Sequence, residues 1–188
     1  FEVLDNSVDE AMAGFCTRVQ ISIAQDGLIV VADDGRGIPV DIHPSTGKSG
    51  LETVMTTLHA GGKFGGGAYK VTGGLHGVGG SVVNALSSDL TAEVQRDGWL
   101  HRQEYSRGIP TGPVKREVKT TKHGTTICFR PDPDIFPSID YDFDLLINHF
   151  KEIAYLNKGL EINFNSLWHS VPRKGDIERT YFFDGGIA

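Results

Sequence analysis

The chain has 188 residues, of which 39% are hydrophobic, and its net charge is −6. This length is enough for one domain with a sizeable core, and the negative charge argues against a domain that attracts nucleic acid over its whole surface. Basic residues are scattered among acids, and no apolar run approaches the ~18 residues of a membrane-spanning helix. Cys16 and Cys128 have no metal-binding spacing, which favours a reducing, cytoplasmic compartment.

The first half of the chain alternates between helical and strand patterns. Residues 2–15 predict an amphipathic helix. Its expected apolar side consists of Leu4, Val8, Ala11, Met12 and Phe15. Two strands, over residues 19–23 and 28–32, flank an Asp-Gly turn, and further helices are predicted over 50–59 and 81–86.

The second half is richer in strands. Strands are predicted over residues 90–96, 99–105, 113–119 and 125–130, then a helix over 142–158, and finally strands over 160–164 and 180–183. The expected buried side of that helix includes Leu145, His149 and Leu156. Hairpins mixed with helices predict an α+β two-layer sandwich, and we interpret residues 1–188 as a single domain.

Glycine is concentrated in one segment. Ten of the 24 glycines lie between residues 61 and 80, directly before an apolar stretch that can form a helix. A glycine-rich turn that enters a helix presents free N–H groups to a ligand and is suited to phosphate. Lys63 and Lys70 at its edges would add point charges. A flexible surface loop is the alternative interpretation.

Two acidic motifs also suggest chemistry. Glu2, Asn6 and Asp9 recur on one side of the first predicted helix, where a carboxylate base and an amide ligand for Mg²⁺ would suit phosphoanhydride hydrolysis. A merely solvated helix face is the alternative. The second motif, at residues 33–39, is either a tight turn or an adenine site, with Asp33 accepting from the base and Arg36 able to stack on a planar ring.

Taken in order, the motifs at residues 2–11, 33–39, 58–64, 73–79 and 124–125 resemble the ATPase domain of the B subunits of bacterial type II topoisomerases. The resemblance extends from the first residue to about residue 186. It implies the Bergerat, or GHKL, fold that Hsp90, MutL and histidine kinases share, with a mixed, mostly antiparallel sheet and helices on one face. Residues 154–159 resemble the supercoiling member of the family somewhat more than the decatenating one.

The resemblance also implies a role for each matching residue. Glu2 would be the general base, Asn6 would bind Mg²⁺, and Asp33 would accept from adenine through a site that a water and Thr125 complete. An ion pair between Glu10 and Arg36 would cover the mouth of the site, and Arg96 would line its outer part, where aminocoumarin inhibitors reach. The remaining nucleotide contacts would come from Gly37, Ile38, Pro39, Gly61, Gly62, Lys63, Tyr69, Lys70, Leu75, His76, Gly77, Val78, Gly79 and Ser81.

Partners follow from the same resemblance. The cofactors would be ATP and Mg²⁺, and the assembly would contain two A and two B subunits, with DNA bound through other domains and no membrane contact. The family's dimerising arm would precede Phe1, and a lysine that reaches the γ-phosphate would follow Ala188. We therefore expect this chain alone to be a monomer that binds nucleotide but hydrolyses it slowly.

Three alternatives stay open on the sequence alone. The first is another GHKL ATPase, of the chaperone or mismatch-repair type. The second is a module that senses nucleotide without hydrolysing it, and the third is an interaction domain that binds no nucleotide. Loss of turnover on removal of the Glu2 carboxylate, with binding retained, would separate an enzyme from a sensor.

Overall fold

The computed structural model describes residues 1–44, 46–58, 79–169 and 178–185. Its helices are α1 (Glu2–Met12), α2 (Gly50–Thr56), α3 (Gly79–Ala85) and α4 (Phe143–Leu156). Its strands are β1 (Arg18–Ile23), β2 (Ile29–Asp33), β3 (Ser87–Arg96), β4 (Trp99–Ser106), β5 (Ile109–Pro110), β6 (Lys115–Lys119), β7 (Gly124–Pro131), β8 (Glu161–Ser166) and β9 (Glu178–Tyr181).

All of these strands belong to one sheet. Its order is β5-β4-β3-β7-β2-β1-β8-β9, with β6 paired to β4 beside β5. Among these described strands, β1 and β8 run parallel and the other pairs are antiparallel. The predicted α+β class with a mixed, mostly antiparallel sheet is confirmed. Within the described ranges, no helix is long and apolar enough to cross a membrane.

The helices cover one face of the sheet. Strand residues alternate between the two faces, so Val19, Ile21 and Ile23 of β1 are buried while their neighbours Gln20 and Ser22 are more exposed. The same alternation in β3, β7 and β8 completes the core under the helices. The opposite face is polar, which is common for antiparallel sheets with one solvated side.

The prediction for the buried side of α1 was right for Leu4, which is buried, and for Val8 and Ala11, which pack against the core, but wrong for its C-terminal part. The helix ends at Met12, so Phe15 no longer follows the helical period, and the side chains of both residues are exposed. Asp9 and Glu10, expected on the polar side, are buried instead. The helix thus packs on the sheet through a surface that is partly acidic, which local periodicity assigns to solvent.

The long helix α4 is set by its cap and its aromatic residues. Asp142 is the N-cap, and its side chain accepts a hydrogen bond from the Leu145 backbone N–H at 3.0 Å. Phe150 and Ile153 are buried against the sheet, whereas Leu145 and Leu156, which we predicted to be buried, are exposed. The helix is therefore rotated relative to the prediction, with Phe143 and Ala154 completing its buried side.

Candidate functional site

Asp33 is the polar centre of the cleft beneath α1. It is the last residue of β2, and three donors hold its carboxylate: the Ser7 hydroxyl at 2.9 Å, the Gly35 backbone N–H at 2.9 Å and the Thr125 backbone N–H at 3.2 Å. Burial raises the pKa of Asp33 above its usual value, and the Glu10 carboxylate adds to this, against the pull of the three hydrogen bonds. The carboxylate is therefore fixed in position and poorly solvated, and it can accept a further hydrogen bond from a ligand.

The first residue of β7 forms the floor beside Asp33. A Cβ on Gly124 would lie 2.0 Å from the Asp33 carbonyl oxygen, and the glycine has a φ of +131°, so only glycine fits. This close approach lets Thr125 reach Asp33 with its N–H while its hydroxyl accepts from the Ile38 N–H at 3.3 Å. The loop after β2 and the start of β7 thus meet around the Asp33 carboxylate.

Helix α1 forms the opposite wall of this cleft. Asn6, Ser7 and Glu10 point into it, one helical turn apart or less, and face Asp33 and Thr125. Apolar side chains complete the lining, among them Val31, Ile38, Met55 and Ile127. The cleft is small, with a volume of about 20 Å³, and its few polar groups in an apolar lining can orient the part of a ligand that enters it.

An ion pair closes one end of the cleft. Arg36 donates to Glu10 through Nη2 at 2.8 Å and Nε at 3.1 Å, and its backbone N–H also donates to Glu10 at 3.1 Å. The guanidinium carbon lies 3.8 Å from the centroid of the Phe15 ring. The side chain expected to stack on a ligand therefore has one of its faces occupied by an aromatic residue of the protein itself.

The first residues of α1 and α3 are in contact, on the side of α1 that lines the larger cavity. A Cβ on Gly79 would lie 2.6 Å from Glu2 Oε2, so the Glu2 side chain lies directly against the start of α3. Glu2 is exposed. It is therefore open to water, and it reaches the end of the segment in which we predicted phosphate binding.

Arg96 supports the rim of the cleft. Its Nη1 donates to the Gly37 carbonyl oxygen at 2.8 Å, while Nε contacts Asp97 at 3.3 Å. Of the other predicted site residues, Pro39 is half-buried and Ser81 is buried within α3. Nine lie outside the described residues: Gly61, Gly62, Lys63, Tyr69, Lys70, Leu75, His76, Gly77 and Val78.

Asn6 is the described residue that fits the magnesium ion implied by the resemblance. In the described part of the chain, no group of three or more His, Cys, Asp or Glu side chains is placed to hold a metal ion. Asn6 lines the cleft, and its side chain carries an amide oxygen. Mg²⁺ commonly takes one or two protein oxygens and completes its shell with phosphates and water, so a single oxygen ligand fits that ion when a nucleotide is present.

Three residues of the site were missed from the sequence. Ser7 donates to Asp33, Phe15 packs under Arg36, and His123 Nδ1 donates to the Gly35 carbonyl oxygen at 2.8 Å. A serine inside a helix and a histidine before a glycine carry no local signal for such contacts. The partner of Ser7 lies 26 residues away along the chain, and the partner of His123 lies 88 residues away.

A larger cavity lies on the same face of the sheet, between the first turn of α1 and α4. Its volume is about 460 Å³, and its lining is mostly apolar, including Ile23, Phe136, Leu145 and Phe150. We place the functional site in the smaller cleft, because the ion pair, the held carboxylate and the close glycine contacts converge there. Five of the predicted site residues line this cleft, namely Asn6, Glu10, Asp33, Ile38 and Thr125. Glu2 instead lines the larger cavity.

The fold and this cleft define a class of nucleotide-binding ATPases. Residues 1–135 match the family described as histidine kinase-, DNA gyrase B-, and HSP90-like ATPase. The chain belongs to this family.

Individual relatives show which members of this family the chain is similar to in sequence. The DNA gyrase B subunit of Thermotoga maritima is 52% identical over 188 residues, which cover 100% of this chain and 29% of that protein. The DNA gyrase B subunit of Streptococcus pneumoniae is 50% identical over 191 residues, covering 100% of this chain and 28% of that protein. The chain thus spans less than a third of the length of these relatives.

A solved structure gives the same result. The crystal structure of the 43K ATPase domain of Thermus thermophilus gyrase B in complex with an aminocoumarin matches with a TM-score of 0.83 and 38% identity, covering 100% of this chain and 46% of that one. The predicted resemblance to the ATPase domain of type II topoisomerases is confirmed. The relatives favour gyrase over topoisomerase IV.

Proposed function

We propose that this domain binds ATP with Mg²⁺ and hydrolyses it, as the ATPase module of a cytoplasmic type II DNA topoisomerase of the gyrase type. The observation that carries the proposal is the cleft in which α1 presents Asn6 and Glu10 to the held carboxylate of Asp33. The similarity to gyrase B ATPase domains supports it. In the complete enzyme, the module would act on DNA within an assembly of two A and two B subunits.

Recognition of the base would depend on Asp33. An adenine amino group would donate to the carboxylate, which already has three protein donors and keeps lone pairs for one more. Ile38, whose backbone N–H is tied to Thr125, would provide an apolar wall for the ring. Arg36 would bound the site without moving, since Glu10 and Phe15 hold it.

Hydrolysis would depend on Glu2. Its exposed carboxylate, which lies against the start of α3, can accept a proton from a water that attacks the terminal phosphorus, giving ADP and inorganic phosphate. Asn6 would hold Mg²⁺, which neutralises charge on the phosphates when bound. Aminocoumarins would enter beside Arg96, whose contact with Gly37 forms the rim.

The test is Glu2→Gln in the full-length protein. We expect ATP turnover to fall about 10²–10⁴-fold, the usual contribution of a general base, while binding of a non-hydrolysable analogue stays within about threefold. Asp5→Asn is the matched control, because it removes the same charge from the first turn of α1. Equal turnover in the two variants would contradict Glu2 as the base. Analogue binding without turnover in the unmodified protein would indicate a sensor, and failure of the unmodified protein to bind the analogue with Mg²⁺ would favour an interaction domain.

A further inference from the structure

Strand β6 and the turn after it gather basic residues that the sequence interleaves with other types. All five residues of β6 are exposed, and among the described strands it pairs with β4 alone. Its register places Lys119 opposite Trp99 and Arg116 opposite His101, with a shift between the two pairs. Lys122 follows in the next turn, so this edge of the sheet carries four cations and, within β6, one exposed carboxylate, Glu117.

These four cations are not neutralised by the ion pairs that the structure describes. Those pairs use other basic side chains: Arg18, Arg36, Lys48, Arg96, Arg102, Arg107 and Arg130. Lys115, Arg116, Lys119 and Lys122 take part in none of them. A chain with a net charge of −6 therefore has an edge that carries positive charge outside its described ion pairs.

Trp99 gives this edge a fixed shape. The guanidinium carbon of Arg116 lies 4.4 Å from the centroid of the Trp99 ring, and Lys119 Nζ lies 5.6 Å from it. Cations held over an aromatic face lose less side-chain freedom when they bind an anion. Because Arg116 covers the ring, the Trp99 indole holds the cations in place and is not free to stack on a nucleic-acid base.

We propose that β6 and the following turn bind the phosphate backbone of a DNA duplex. The choice of DNA as the polyanion rests on the proposed function. Successive residues of a strand point to opposite sides, so Lys115 and Arg116 can reach phosphates on either side of the strand. An acidic peptide that joined the sheet would need a regular hydrogen-bonding edge, and the register shift between β4 and β6 interrupts that regularity.

The extent of the edge matches this ligand. From Lys115 to Lys119 a strand spans about 13 Å, and duplex DNA carries one charge per ~1.7 Å of its axis, so several phosphates come within reach. Four phosphate contacts predict that log K falls against log salt with a slope of about −3.6. Binding would be independent of base sequence, because the contacts are made by point charges to the backbone.

The test compares two double variants of the full chain by fluorescence anisotropy with a labelled DNA duplex at about 50–200 mM KCl. Lys115→Gln with Lys119→Gln removes two charges from β6. Lys151→Gln with Lys158→Gln removes two exposed lysine charges, one in α4 and one just after it, that are also outside the described ion pairs. We expect the β6 variant to weaken binding about tenfold at the lowest salt and to reduce the slope to about −1.8, and the other variant to change affinity less than about twofold.

Three results would overturn the proposal: no binding by the unmodified chain at the lowest salt, equal losses in the two variants, or tighter binding of poly-glutamate than of the duplex. The last would assign the edge to an acidic protein. Calorimetry with an ATP analogue on the same samples separates this proposal from the proposed function. If the unmodified chain binds no ATP analogue, the proposed function is contradicted and the proposal about β6 is not. The DNA measurements test the proposal about β6.

Discussion

Replacing Asp33 with asparagine should separate ligand binding from folding. Its Oδ1 accepts from the Gly35 and Thr125 backbone N–H groups, and an asparagine Oδ1 can keep both hydrogen bonds. Its Oδ2 accepts from Ser7, whose hydroxyl can rotate and accept from an amide Nδ2 instead. The free energy of unfolding should therefore change by less than about 1 kcal/mol.

The nucleotide has no such alternative. An adenine amino group would meet an amide donor at the position of Oδ2 and would lose a charged acceptor. A hydrogen bond to a charged group contributes about 1.5–3 kcal/mol, so affinity should fall roughly 10- to 150-fold. Calorimetry with a non-hydrolysable ATP analogue and Mg²⁺ measures this loss, and thermal unfolding of the free protein measures stability.

Asp34→Asn is the matched control. The Asp34 carboxylate accepts from the Thr17 N–H and hydroxyl, both at 2.7 Å, and from the Arg18 N–H at 2.9 Å, so it ties the loop after β2 to the start of β1. This variant should lose stability and keep its affinity within about threefold. Our reasoning about Asp33 is refuted if the two variants bind the analogue equally well, or if Asp33→Asn binds as tightly as the unmodified protein.

Three further predictions concern the cleft and the Glu2 carboxylate. Because the pKa of Asp33 is raised, the folded protein holds the proton of this carboxyl more tightly than the unfolded chain does. The free energy of unfolding, measured by chemical denaturation, should therefore fall as pH rises from the ordinary pKa of Asp through the raised one. This pH dependence should be absent in the Asp33→Asn variant. Gly124→Ala should lower the free energy of unfolding by at least about 3 kcal/mol, because its Cβ would meet a backbone oxygen. Gly98→Ala is the control: its φ is +80° but the space around it is open, so the same assay should show a loss of about 1 kcal/mol. Gly79→Ala should lower ATP turnover of the full-length protein at least about tenfold, because the new Cβ displaces the Glu2 carboxylate, and it should also reduce stability, because that Cβ would lie 3.0 Å from Glu2 Cβ and 3.3 Å from the Glu2 carbonyl oxygen. Unchanged turnover would contradict the placement of that base.

Local patterns predicted most of the elements, and they failed where a contact came from distant sequence. The strands β1 to β4 and β7 follow the alternation and the Asp-Gly turns that predicted them. On α1, periodicity assigned Glu10 to solvent, because it cannot register a guanidinium that is 26 residues away. Phe15 was assigned to the core for the same reason, although it packs under that guanidinium.

The candidate site divides in the same manner. Asp33 could be predicted because the motif that contains it also contains its turn and its glycines. Ser7 and His123 could not, since each contributes one hydrogen bond whose partner is fixed only by packing of α1 or β7 against β2. The four cations of β6 and the following turn lie within residues 115–122 and could have been noticed in the sequence, whereas their place beside Trp99 is fixed only by strand pairing.

The parallel pairing of β1 with β8 has a consequence for how the domain is made. Val19 lies opposite Ile162, so one side of an early strand stays open until the ribosome has synthesised β8, more than 100 residues later. Contacts of such long sequence separation slow folding and expose an unpaired edge during synthesis. The domain should therefore acquire protease resistance only after β8 has left the exit tunnel, in a single late step and not progressively from its N-terminus.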